Sequence, residues 1–335
     1  MEKFSLLDLS PIPEGKNATD ALSNSADLAI AAEKAGYFRY WVAEHHNMTG
    51  IASSATAVLI GYLASVTQTM RIGAGGIMLP NHAPLMVAEQ FGTLASIYQG
   101  RVDLGLGRAP GKDMATARAL RRHMSQNDSF PDDVQELIGY LGDMPESASV
   151  RAIPGVGTHV PVWILGSSLY GAQLAAYLGL PYCFASHFAP DMLEEALYLY
   201  RENFRPSEAL SRPYAMIAAG VCAAETDAEA ELLRSSQLLS FANIITNRRG
   251  KLPYPTEDLA SKITAPVMAR VQHMLSCSAA GSPSAIKAQL GAILDKYQPD
   301  ELMVTGMIHD HSARVRSFEI AAGVLSELQE PVKAS

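Results

Sequence analysis

The 335-residue sequence predicts an α/β protein that folds as a (β/α)8 TIM barrel, with insertions after the fourth and seventh strands. Short apolar runs alternate with longer helical patterns along the chain, which is typical of a parallel sheet. Eight such units favour a closed barrel over an open sheet. The first run leads into Leu9-Ser10-Pro11-Ile12-Pro13, which excludes the glycine-rich turn of a doubly wound dinucleotide-binding fold.

Each predicted strand is a short apolar run that a turn residue or a polar segment ends. The eight predicted strands comprise residues 4–9, 40–43, 71–79, 102–106, 162–165, 182–185, 214–223 and 301–305. Pro80 directly follows the third of them. Because proline cannot donate a ladder hydrogen bond, it fits the end of a strand better than its interior.

The predicted helices fill the intervals between these strands. They comprise residues 19–35, 51–66, 84–97, 131–141, 169–178, 191–203, 228–239, 283–297 and 313–328. Gly36 ends the first helix and Pro84 begins the third, in the positions that these residues favour. Residues 110–161, apart from one helix, and residues 241–282 are expected to be irregular. Nothing in the sequence divides the chain, so residues 1–335 are expected to form one domain.

Composition limits the class of protein and its partners. Hydrophobic residues make up 48% of the chain and charged residues 18%, so a large buried core is expected. The net charge is −8 without a basic stripe, which argues against a nucleic-acid partner. Cys183, Cys222 and Cys277 are widely spaced, as in a reduced protein without a disulfide framework. No apolar run approaches the roughly 20 residues of a membrane span, so a cytoplasmic protein is expected.

Active sites of such barrels lie at the carboxyl ends of the strands, where the first polar cluster is Glu44-His45-His46-Asn47. An imidazole there can exchange protons near neutral pH. Successive side chains on a strand point in opposite directions, so only one of the two histidines is expected to face the barrel mouth. A hydrogen-bonded loop histidine is the structural alternative. No metal site is expected.

Three further clusters follow predicted strands. Two glycines in the carboxyl half of the third strand, Gly75 and Gly76, suit a flat ring that lies against the backbone, although tight packing is the alternative. Arg108 could bind a phosphate or form a surface salt bridge. The turn Gly166-Ser167-Ser168 could bind an anion at a helix N-terminus or simply cap that helix.

Taken in chain order, these segments resemble the luciferase-like flavin monooxygenase family, the LLM class of oxidoreductases. The matching segments are residues 40–46, 73–80, 100–108, 165–168, 300–304 and 316–317. The resemblance implies a (β/α)8 flavoprotein that receives reduced FMN from a separate reductase. It also implies a reaction with O2, in which a flavin hydroperoxide oxygenates a small organic substrate.

The same resemblance assigns roles to individual residues. His45 matches the catalytic histidine. The Gly75-Gly76 bond matches a non-prolyl cis peptide beneath the flavin ring, next to Ala74. The positions that match the phosphate site are Arg108, Gly166, Ser167 and Tyr170. Leu6 and Asp8 are expected to line the pocket of the ring.

The sequence departs from the light-emitting members of the family at two places. Gly107 stands where those enzymes have a reactive cysteine, and residues 241–282 do not match their mobile lid. Light emission and a long-chain aldehyde substrate are therefore not expected. The substrate itself is not indicated. Relatives pair through early barrel helices, so a homodimer through the helix at residues 51–66 is expected.

Three other functions stay open from the sequence. An F420-dependent hydride-transfer enzyme has the same fold, and Arg118, Arg121 and Arg122 could bind its anionic tail. A non-catalytic FMN-binding protein would store the flavin. A metal-dependent barrel hydrolase, which is the weakest alternative, would use the histidines His45, His187, His309 and His311.

Overall fold

The protein has the closed parallel barrel that the alternation predicts, as seen in a computed structural model that describes residues 1–108, 114–120 and 129–329. The strands are β1 (Lys3–Asp8), β2 (Arg39–Val42), β3 (Arg71–Met78), β4 (Val102–Gly107), β5 (Val162–Gly166), β6 (Tyr182–Phe184), β7 (Ala215–Ala223), β8 (Ser278–Gly281) and β9 (Glu301–Thr305). The strands β1 to β7 pair in sequence, and β9 lies between β7 and β1 and closes the barrel. The short strand β8 pairs only with the end of β7.

Helices follow the strands and cover the outside of the barrel. They are α1 (Ala18–Lys34), α2 (Thr56–Val66), α3 (Pro84–Ile97), α4 (Met114–Ala119), α5 (Phe130–Leu141), α6 (Leu169–Leu178), α7 (Leu193–Asn203), α8 (Asp227–Ile245), α9 (Leu259–Lys262), α10 (Ala265–Met274), α11 (Pro283–Tyr297) and α12 (His311–Leu328). Asn17 caps α1 with a complete capping box, in which Asp20 is the reciprocal partner. Of the helices described, none is long and apolar enough to cross a membrane.

The expectation that residues 241–282 are irregular is wrong. The helix α8 continues to Ile245, and α9, α10 and β8 follow it. A small separate core explains this order, because Leu239 of α8 is buried with Ile263, Val271 and Leu275. A second correction concerns the predicted helix at residues 51–66. It begins only at Thr56, since Ile51 forms a β-bridge with Pro11.

The barrel strands bury both faces, and alternate residues therefore belong to two cores. Leu6 and Ala74 point outward into the large core that the strands form with the surrounding helices. Leu7 points inward, into a cluster that also contains Trp41 and Trp163. The two tryptophan rings meet edge to face, with their centroids 5.2 Å apart. This alternation decides which residues can reach a ligand in the barrel.

Buried ion pairs fill the amino end of the barrel. Arg39 donates to Asp103 and to Glu301 at 2.7 Å each, and Arg71 donates to Asp103 at 2.6 Å. The Asp103 and Glu301 side chains are fully buried. Burial favours the neutral acid, but Arg39 and Arg71 hold the pKa of the Asp103 carboxyl below its ordinary value. These charges close one end of the barrel, and the opposite end carries the cavity.

Candidate active site

A cavity of about 390 Å³ opens at the carboxyl ends of the strands, which is a volume typical of small-molecule and cofactor sites. The ends of β1 to β6 and the segments that follow them provide most of its walls. Its lining residues are Leu7, Leu9, Ala43, Glu44, His45, Gly75, Gly76, Met78, Gly107, Arg108, Phe130, Leu165, Gly166, Ser167, Ser168, Tyr170, Gly171, Ala185, His187 and Phe188.

Seven of the ten residues singled out from the sequence lie together in this cavity. They are His45, Gly75, Gly76, Arg108, Gly166, Ser167 and Tyr170. The other three, Leu6, Asp8 and Ala74, do not line it. Strand alternation is the reason, because Leu7 and Leu9 take the inward positions of the first strand and its end.

Asp8 is fully buried outside the barrel, where it joins β1 to two helices. Its carboxylate accepts hydrogen bonds from Ser25 of α1 at 2.5 Å, from Tyr40 at 2.6 Å and from Arg314 of α12 at 2.5 Å. Burial alone would raise the pKa of the Asp8 carboxyl, but Arg314 and the two hydroxyl donors hold it below the ordinary value. Asp8 is therefore an anion that connects strand and helices.

The floor of the cavity contains bare backbone at Gly75 and Gly76, which are joined by a cis peptide bond. A side chain has no room at either position. A Cβ atom at Gly75 would lie 2.9 Å from Leu7, and one at Gly76 would lie 2.6 Å from the carbonyl oxygen of Gly105. The strand thus presents a surface without side chains, against which a flat ring can lie.

A cationic turn borders the same cavity at the ends of β4 and β5. The guanidinium of Arg108 lies 4.1 Å from the centre of the Tyr170 ring. Ser167 and Ser168 are exposed, and Ser168 precedes α6 without a side-chain cap for that helix. The first N–H groups of a helix point toward an anion placed there. The turn therefore suits a phosphate group.

Two histidines face the cavity, His45 after β2 and His187 after β6. Each has a buried Nδ1 atom without a hydrogen-bond partner in the described parts of the chain. Burial lowers the pKa of both imidazoles to about 4, so both are neutral at pH 7. His187 was considered from the sequence only as a metal ligand. Its place just after a strand end was the indication that it faces the mouth.

His46, in contrast, does not line the cavity and pairs with Glu44. Its Nε2 atom lies 2.6 Å from Oε1 of Glu44, and Nε2 of His82 lies 2.8 Å from the same oxygen. The other oxygen of Glu44 accepts the backbone N–H of Met78 at 3.0 Å. As the strand pattern predicted, only one of the two adjacent histidines, His45, lines the cavity.

The four histidines of the hydrolase alternative do not converge. The Nε2 atom of His309 lies 3.1 Å from the carbonyl oxygen of Glu14, and Nε2 of His311 lies 2.8 Å from Oδ2 of Asp27. Neither lines the cavity. For the F420 alternative, Arg118 is exposed on α4 and does not line the cavity either. The other two arginines of that alternative, at positions 121 and 122, lie outside the described residues.

Comparison with known proteins gives relatives along most of the chain. A protein of Escherichia coli strain K12 named luciferase-like monooxygenase is 54% identical over 326 residues, which are 97% of both chains. The N-acetyl-S-alkylcysteine monooxygenase of Bacillus subtilis strain 168 is 38% identical over 238 residues, or 69% of this chain and 70% of that one.

Solved structures have the same fold. The crystal structure of apo-MsnO8 matches with a TM-score of 0.86 and 32% identity, over 99% of this chain and all of the other. At 18% identity, an FMN complex of the oxygenating constituent of 3,6-diketocamphane monooxygenase has a TM-score of 0.72, over 98% of each chain. At 14% identity, an F420-dependent secondary alcohol dehydrogenase reaches 0.64, over 97% of this chain and 99% of that one. The family model described as luciferase-like monooxygenase matches residues 2–296, and the chain belongs to this family.

Proposed function

We propose that the protein is a flavin-dependent monooxygenase that uses reduced FMN from a separate reductase, together with O2. One oxygen atom enters a small organic substrate, and the other leaves as water with the two electrons and two protons of the reduced flavin. The observation that carries the proposal is a single cavity that combines bare backbone at Gly75-Gly76 with the cationic turn at Arg108.

The residues present fit FMN. The glycine pair offers a flat surface for the ring, because any Cβ there would meet neighbouring atoms. Arg108, the hydroxyl of Ser167 and the first N–H groups of α6 offer donors for the phosphate. When bound, reduced FMN supplies the two electrons with which O2 is activated. The structural neighbour in complex with FMN supports this choice of cofactor.

The chain itself would exclude water and move a proton. Apolar side chains form much of the cavity wall, among them Leu7, Leu9, Met78 and Leu165. A dry site protects reactive oxygen species from loss to water. His45 presents a buried Nδ1 without a partner in the described chain, which can exchange a proton with substrate or cofactor.

Small uncharged or weakly polar molecules suit this lining better than highly charged ones. The Bacillus subtilis relative is named for N-acetyl-S-alkylcysteine, whose thioether sulfur is a simple oxygen acceptor. Thioethers of this kind are the first substrates to test. A cytoplasmic location, where flavin reductases are available, is part of the proposal.

The test is a reductase-coupled assay with FMN, ¹⁸O2 and a panel of thioethers and ketones. We expect substrate-dependent O2 uptake and a product that carries one ¹⁸O atom. The variant His45→Asn should lower turnover and leave FMN affinity nearly unchanged. Tight binding of oxidised FMN without any substrate-dependent O2 uptake would instead favour the non-catalytic FMN-binding function.

The second candidate is F420-dependent hydride transfer, which the structural neighbour in complex with an F420–acetone adduct supports. It predicts that F420 binds more tightly than FMN and that reaction proceeds without O2. Parallel titration of the protein with both cofactors, followed by an anaerobic assay, separates the two candidates.

A further inference from the structure

Three potential metal ligands lie together beside the cavity, between the ends of β2 and β3, and one of them, Glu44, also lines it. Glu44 and His46 follow β2, and His82 follows the 3-10 turn Leu79–Asn81 after β3. These strands are parallel neighbours, so the segments that leave their carboxyl ends meet. The ligand atoms of the three side chains all lie within 4.8 Å of one another.

Their geometry is close to that of a metal coordination face. Both Nε2 atoms approach one oxygen of Glu44, at 2.6 Å for His46 and 2.8 Å for His82. A metal ion about 2.0–2.1 Å from three ligands at right angles separates the ligand atoms by roughly 2.9 Å. Each nitrogen–oxygen pair would therefore have to open by only a few tenths of an ångström, and the two imidazole nitrogens lie within 4.8 Å of each other.

The chemistry of the cluster also favours a cation. Two imidazoles and one carboxylate form the ligand set of facial sites that keep further positions open. The Glu44 side chain is 1% exposed, and its second oxygen is fixed by the N–H of Met78. The imidazoles of His46 and His82 are 21% and 29% exposed, so that an ion can enter from solvent and water can complete its coordination.

We propose that Glu44, His46 and His82 bind a divalent transition-metal ion, of the class that includes Zn²⁺ and Co²⁺. His46 and His82 do not line the cavity and Glu44 does, so this site adjoins the proposed flavin site and shares one residue with it. A bound ion would join the loop that carries His45 to the turn after β3. Metal binding needs neither flavin nor O2, so it can be tested independently of the proposed monooxygenase activity.

The test is calorimetric titration of the untagged, chelator-treated full chain with Zn²⁺. We expect one ion per chain for the wild type, and affinity lower by at least about tenfold for His46→Gln and for His82→Gln. Glutamine keeps an N–H donor for Glu44, which favours retention of the fold, and a thermal melt checks it. The matched control is His273→Gln, which changes an exposed histidine paired with Asp191 and should bind Zn²⁺ like the wild type.

Cobalt gives a second readout on the same proteins. Visible absorption bands of Co²⁺ should appear with the wild type, disappear when Zn²⁺ is added, and be weak in both glutamine variants. The proposal is overturned if the wild type binds neither ion stoichiometrically. It is equally overturned if both variants bind like the wild type, because the cluster would then be held by hydrogen bonds alone.

Discussion

Asp8 shows at the scale of one residue how burial separates a structural role from a binding role. The substitution Asp8→Asn leaves Arg314 buried opposite a neutral group. Removing one partner of a buried ion pair costs about 3–5 kcal/mol, so we expect a loss of that size in the free energy of unfolding. Urea denaturation measures it. FMN affinity should stay unchanged, because Asp8 does not line the cavity.

Asp143→Asn is the matched control, since this carboxylate is 88% exposed and forms an ion pair with the exposed His159. It should lose less than about 1 kcal/mol. Equal losses in the two variants would show that the buried network around Asp8 contributes no more than a surface pair.

The burial of His187 makes the free energy of unfolding decrease as pH decreases. The pKa of its imidazole is about 4 in the folded protein, against an ordinary value of 6.5. Between these values the unfolded chain binds a proton that the folded protein does not, so stability falls as pH falls from 6.5 to 4. Burial also lowers the pKa of the His45 imidazole to about 4, so His45 acts in the same direction.

The variant His187→Gln should therefore lose less stability than the wild type between about pH 7 and about pH 5. Urea midpoints at the two pH values measure the difference. His159→Gln, at an exposed histidine, should keep the wild-type dependence. If stability depended on pH in His187→Gln as it does in the wild type, the pKa of His187 would be the same in the folded and unfolded states.

At the scale of elements, the turns after β4 and β5 are expected to recognise the phosphate of FMN. Arg108→Gln removes a charged donor, and hydrogen bonds to charged groups contribute about 1.5–3 kcal/mol. We therefore expect FMN binding to weaken by roughly tenfold to a hundredfold, and riboflavin, which lacks the phosphate, to bind as before. Flavin fluorescence titration measures both.

Arg118→Gln is the matched control for this experiment, because Arg118 is exposed on α4 and does not line the cavity. It should bind both flavins like the wild type. If Arg108→Gln weakened FMN and riboflavin equally, Arg108 would contact the ring or hold the turn in place.

The elements also show what sequence could and could not predict. The helices α3, α6 and α11 and the strand β9 have the predicted bounds, because proline, glycine or an apolar run marks their ends. Which residues of β1 point into the barrel could not be predicted, because a strand buried on both faces shows no alternation of polar and apolar residues. The helix α10 packs mainly against α8 and follows no barrel strand, so the alternation of strands and helices did not indicate it.

The topology of the barrel made part of the site predictable from the sequence. The carboxyl ends of parallel strands meet, so clusters far apart in the chain, such as those of His45 and Arg108, were expected at one cavity. The cluster of Glu44 with His46 and His82 could not be expected, because His82 follows a 3-10 turn whose position no sequence pattern indicates. The cis bond at Gly75-Gly76 was indicated by family resemblance, and the structure confirms it.

At the scale of the whole molecule, the two ends of the barrel differ in structure. The amino end is filled by the buried pairs of Arg39 and Arg71 with Asp103 and Glu301. The carboxyl end is open, and glycines rather than large side chains occupy the positions of β3 beneath the cavity. The ion-paired residues of the amino end do not line the cavity, so substitutions among them can be interpreted separately from ligand binding.

Two adjoining helices on one side of the barrel expose large apolar side chains, which supports the homodimer expected from the resemblance. Val58 of α2 is 75% exposed, and Met86 and Ile97 of α3 are 57% and 63% exposed. The two helices pack against each other, and Met86 and Ile97 are three turns apart on one face. Large apolar side chains exposed on adjoining helices are a feature of protein interfaces. We propose that a second copy of the chain covers it.

Sedimentation velocity at micromolar concentration tests this dimer. The wild type should sediment as a dimer, and the double variant Val58→Glu with Met86→Glu as a monomer, because burying two carboxylates without partners is unfavourable. Tyr198→Glu is the control, since Tyr198 is 63% exposed on α7, and this variant should stay dimeric. A monomeric wild type would contradict the proposal. A double variant that stays dimeric would place the interface on another face of the barrel.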